Sequence, residues 1–166
     1  MLKPMLQALV LADHIYKDAF TGKMVIAGTF NRVLFPGKAL RETAEQARDN
    51  VEQPPGQPRK LEWHEVARMG SPFAYISLTE IRGTIPIELR YVDLDDNVVM
   101  MRVELSVTTR SPLDTAEIVV QLPPLPTPHA GVYALELLTE NEPLGSHRVT
   151  AVEDHGPTQE TGDDRT

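Results

Sequence analysis

The chain has 166 residues, a net charge of −8 and no cysteine. That length suits one ordinary domain, and the missing thiols exclude disulfides, thiolate metal sites and cysteine nucleophiles together. With 41% hydrophobic and 24% charged residues the composition is that of a globular protein, and the acidic balance, concentrated after residue 72, leaves no basic face for nucleic acid or an anionic membrane.

The opening Met1-Leu-Lys-Pro-Met-Leu-Gln-Ala-Leu-Val-Leu-Ala superficially resembles a signal peptide. Its uninterrupted apolar stretch, Ala8 to Ala12, is too short, and Asp13-His14 follow at once, so a first strand over Leu6–Ala12 is predicted. No stretch approaches the roughly 20 apolar residues of a spanning helix. Asp18-Ala-Phe-Thr-Gly22-Lys23 has turn chemistry, and Met24 to Phe35 resumes a strand pattern that ends at Pro36-Gly37. The two runs are expected to pair antiparallel.

Residues 38–70 change character. Leu40, Ala44, Ala47 and Val51 recur at helical spacing, and Pro54-Pro55-Gly56-Gln57-Pro58 then breaks the pattern. A short helical insertion is predicted there, and Trp63 is expected to pack in the core or the insertion, with an exposed aromatic platform for a ligand as its alternative role. His64-Glu65-Val66-Ala67-Arg68 starts like a zinc-protease helix, but Arg68 stands where the second histidine must be, which leaves a surface helix.

From residue 72 the strand signal is steady: Phe73–Ile81, Ile85–Asp93, Val98–Thr109, Ala116–Leu122, Val132–Thr139 and His147–Val152, each bounded by turn residues. Ile85, Ile87, Leu89 and Tyr91 alternate with Pro86, Glu88 and Arg90, as do Met101, Val103, Leu105 and Val107 with Arg102, Glu104 and Ser106. Such strands have one face in water and belong to an antiparallel sheet, with Pro86 at an edge or near a strand start. Regular short strands predict an all-β immunoglobulin-like antiparallel sandwich over residues 1–152. Ala130-Gly131-Val132-Tyr133 resembles the tyrosine corner of Greek-key sandwiches, with Leu135 where antibody domains carry cysteine. The acidic tail 153–166 lacks a large apolar residue and is expected to be disordered.

Two groups of ligating side chains stand out. Asp93-Leu-Asp95-Asp96-Asn97-Val98 matches the first positions of a calcium loop, with Glu104 at the twelfth, but Val98 replaces the required glycine and strands flank it. A hairpin turn is the better expectation. Asp13, His14 and Asp18 could supply metal ligands near one turn, if a further group such as the 93–97 turn converges on them. No nucleophile elbow, phosphate loop or dinucleotide fingerprint occurs, so no cofactor is expected.

Ala12-Asp13-His14-Ile15-Tyr16-Lys17-Asp18, Thr21-Gly22-Lys23 and Ile26-Ala27-Gly28-Thr29-Phe30, with Gly131-Val132-Tyr133 and Pro143-Leu144-Gly145 later, resemble the opening and closing blocks of an uncharacterised bacterial domain family. The resemblance implies a β-sandwich and carries over no functional residue. The functional expectation is a noncatalytic module that binds another protein, in a reducing cytoplasm that the lack of cysteine suits. A small-ligand or carbohydrate-binding sandwich and a metal-dependent enzyme are the alternatives.

Overall fold

A computed structural model describes residues 3–36 and 70–154 and forms an all-β structure of two sheets. In chain order the strands are β1 (Met5–Lys17), β2 (Met24–Thr29), β3 (Arg32–Pro36), β4 (Phe73–Thr79), β5 (Gly83–Asp93), β6 (Val98–Thr109), β7 (Ala116–Gln121), β8 (Gly131–Thr139) and β9 (Glu142–Asp154). One sheet runs β2-β1-β4-β7 and the other β3-β9-β8-β5-β6. No helix among the described residues is long and apolar enough to cross a membrane. The expected helical stretch, Trp63 and the His64–Arg68 motif lie outside the described residues, as does the tail beyond Asp154.

Two-residue periodicity built this arrangement. Ile87, Leu89 and Tyr91 of β5 turn inward to meet Ala74, Ile76 and Leu78 of β4, with Leu135, Leu137 and Val149 filling the same interior, and all are buried. Each such large side chain contributes about 1.5–3 kcal/mol relative to exposure, which is how a chain without disulfides can hold two sheets together. The opposite face of β5 carries Glu88 and Arg90, ion-paired at 2.8 Å. β5 is an inner strand, flanked by β8 and β6, so Pro86 does not mark an edge and falls near the strand start instead. It lies before Glu88, where β8 begins to pair, and Thr139 Oγ1 donates to its carbonyl at 2.7 Å, so the missing N–H points where the β8 ladder has ended.

Several boundaries differ from the sequence reading. β1 continues five residues past Ala12, because its second half pairs with β2 (His14 opposite Ala27, Tyr16 opposite Val25) while its first half pairs with β4. The run from Met24 to Phe35 is two strands in different sheets. After Gly28, at φ 71°, the chain crosses over and β3 pairs parallel with β9, Val33 opposite Ala151. A side chain at Gly28 would also meet the Asp13 carboxylate at 2.6 Å. β9 begins at Glu142, since the turn before it is only Glu140-Asn141, both at positive φ (48° and 67°). The last strand reaches Asp154, two residues into the expected tail.

Candidate functional site

Antiparallel pairing brings the β1–β2 turn, the β5–β6 turn, the connection from β7 to β8 and the end of β9 to one end of the sandwich. The side chains with chemistry gather there. The β5–β6 turn is a hairpin, as its composition predicted: Asp93 pairs with Val98, and Asn97 takes a left-handed conformation at φ 55°. Asp93 Oδ1 accepts from the backbone N–H groups of Asp95 (3.0 Å) and Asp96 (3.3 Å), so this carboxylate first of all shapes its own turn.

Its other oxygen faces a residue that the sequence did not mark. His129 Nε2 lies 2.7 Å from Asp93 Oδ2 and 3.6 Å from Asp96 Oδ2, while Nδ1 donates to the Ala130 carbonyl at 2.9 Å. The Asp93 side chain is 3% exposed and that of His129 39%. The carboxylate oxygen sits off the N–H direction of Nε2, so the contact has poor hydrogen-bond alignment and is an ion pair when the imidazole is protonated. The bond to Ala130 and the nearby Asp93 and Asp96 charges raise the His129 pKa above its ordinary value, against a smaller opposing effect of desolvation.

The cluster is braced from β8. Tyr133 donates its hydroxyl hydrogen to the His129 carbonyl at 2.9 Å, the back-bond of a tyrosine corner, and its ring stacks on Tyr91 at 5.4 Å. Burial pushes the Tyr91 hydroxyl far up, so it stays protonated. Asp95 Oδ2 accepts from Val132 N at 3.3 Å, and a side chain at Gly131 would collide with that carboxylate. A side chain there would push the Asp95 carboxylate away from Val132 N.

Asp93, Asp96 and His129 each offer one donor atom, all within 4.8 Å of one another, and could hold a metal ion. Tetrahedral zinc ligands at about 2.1 Å from the ion stand roughly 3.4 Å apart, so the 2.7 Å contact would have to open. A proton on Nε2 suits the present spacing better. Asp13, His14 and Asp18 do not join this group. Asp18 Oδ1 accepts from Thr21 N (2.7 Å) and Thr21 Oγ1 (2.6 Å), bonds that lower its pKa and fix the β1–β2 turn.

Asp13 and His14 instead line a separate cleft of about 830 Å³ at the same end, whose apolar surface includes Phe30, Phe35, Phe73 and Leu125. Arg32 and Gln121 add polar groups. Phe35 and Gly70, next to the two ends of the 37–69 stretch, both line it. No protein-family model matches the chain, and the search of curated proteins found no match.

Proposed function

We infer that the chain is a noncatalytic binding module of immunoglobulin-like build, whose cleft takes an extended segment of a protein partner. The observation that carries this is the cleft itself: about 830 Å³, with an apolar lining and a few polar side chains, opening beside β3. Among the described residues β3 is the outermost strand of its sheet, and the cleft beside it can receive the side chains of an extended segment. Leu34, 53% exposed, lines the same cleft.

Topology supports the immunoglobulin-like part. Taking β4 to β9 as strands B, C, C′, E, F and G puts C′, C, F and G in one sheet and B and E in the other, as in variable-type domains. The back-bonded Tyr133 then falls on strand F, its customary place. The β1–β2 hairpin is an addition. This reading keeps the chain with the bacterial sandwich family whose opening and closing blocks it resembles, and in a reducing cytoplasm. Separation of Asp13 and His14 from the 93–97 turn counts against the metal-dependent enzyme. The cleft volume also falls within the usual range of small-molecule sites, which favours a small apolar ligand as the second reading.

Selection of displayed peptides against the full chain, followed by amide chemical-shift mapping, tests the inference. Selected peptides are expected to shift Val33–Phe35 and Leu125–Thr127, and Leu34→Lys to weaken binding at least about tenfold without changing the melting temperature. Peptides that map to the opposite end of the sandwich would sink it. A cleft that binds apolar small molecules and selects no peptide would transfer the assignment to the second reading.

A further inference from the structure

We propose that β6 is a self-association edge, through which two copies of this chain join their five-stranded sheets about a two-fold axis at Val103. Among the described residues the outer strands β2, β3 and β7 are short, at six, five and six residues, whereas β6 has twelve. Sheet edges are normally blunted by short length, proline, lysine or bulges. β6 contains no proline, lysine or glycine, and from Met101 to Thr109 it pairs with β5 without a register shift. Its second edge therefore offers a regular row of backbone hydrogen-bonding groups.

The side chains specify the occupant. Met101, Val103 and Leu105 pack against the core but are only partly buried, and Val98 and Val99 are exposed. On the other face Glu104 lies directly opposite Glu88 of β5 and has no cationic partner among the described residues, while Arg102 pairs with Glu88 at 2.6 Å and stays 53% exposed. In an antiparallel pair of β6 strands centred on Val103, Arg102 stands opposite the copy's Glu104, and Glu104 opposite its Arg102. The same register sets Met101 against Leu105 and Val99 against Val107.

Other registers lack this match. Centring on Arg102 or Glu104 places like charges face to face, which is destabilising. A one-residue slip sets the charged face of one strand against the apolar face of the other. Centring on Leu105 leaves both charges opposite hydroxyls. Charge and apolar pattern thus select one self-complementary register, the condition of a two-fold interface.

Sedimentation velocity of the full chain over roughly 1–500 μM should show a monomer–dimer equilibrium. Arg102→Glu and Glu104→Arg should each weaken the dimer at least tenfold, and the two combined should restore it. A chain that stays monomeric throughout, or a dimer indifferent to both single changes, overturns the proposal. Should a single variant fail to fold, the absence of native cysteine supplies a second test. Across the axis the Val103 Cα atoms would be about 4.5–5.5 Å apart, within disulfide reach. Val103→Cys should therefore cross-link under mild oxidation far faster than Thr108→Cys; equal rates refute the register.

Discussion

At the scale of the residue, His129 is a group whose charge depends on pH. Its Nδ1–H is committed to Ala130, so the form that attracts Asp93 and Asp96 is the one protonated on both nitrogens. Because its folded pKa is raised, this attraction contributes fully below the unfolded value of about 6.5 and is lost as pH rises through the folded value. An NMR titration should place the His129 midpoint above 6.5. Asp93→Asn should lower that midpoint while preserving the oxygen that accepts from Asp95 and Asp96. A wild-type midpoint at or below 6.5 would refute the ion-pair reading. The sequence marked Asp93 and Asp95 but not His129, because the histidine joins them from a Pro-rich connection more than thirty residues away. One available signal was its place four residues before Tyr133, where the tyrosine corner folds the chain back.

At the scale of the element, turns decided where strands begin. Glu140 and Asn141 both adopt left-handed backbone between β8 and β9, the pattern of a type I′ hairpin. Asn141 suits it; Glu140 bears the steric cost of a Cβ in that region and lies beside Glu88 and Glu104. Glu140→Asn is expected to raise unfolding stability by about 1 kcal/mol, read as a higher urea midpoint at unchanged slope. An unchanged or lower midpoint would mean that the turn is not strained. Sequence reasoning placed β9 five residues late for a related reason. Pro143 and Gly145 look like breakers, yet a register shift between Leu137 and Leu138 accommodates them inside the ladder. β6 was legible to the residue, since Asp95-Asp96-Asn97 and Ser111-Pro112 punctuate both its ends and nothing inside it imitates a turn. The crossover from β2 to β3 was hidden, because an apolar run does not say which sheet its second half will join. Gly28 was the local hint.

At the scale of the whole molecule, the question is whether residues 38–69 belong to the cohesion of the fold or hang from it. Among the described residues, the buried cluster that joins the sheets, from Leu11 to Ala151, draws on the strands, on Ile81 between β4 and β5, and on the β7–β8 connection. Phe35 and Gly70 line one cleft, so a short bridge can join the two sides. Eight flexible residues reach at most about 29 Å. Shortening this stretch from 32 to eight residues should stabilise the chain by roughly 1 kcal/mol through loop entropy. If the sandwich is self-sufficient, replacing residues 38–69 with an eight-residue Gly/Ser linker should keep the circular dichroism spectrum and leave the unfolding free energy within about 1–2 kcal/mol of the parent. A loss of several kcal/mol, or aggregation, would show that side chains of the replaced stretch complete the core. The same variant bears on the cleft: unchanged peptide affinity assigns recognition to Leu34, Phe73 and Leu125, whereas lost affinity with an intact fold makes the replaced stretch part of the recognition surface.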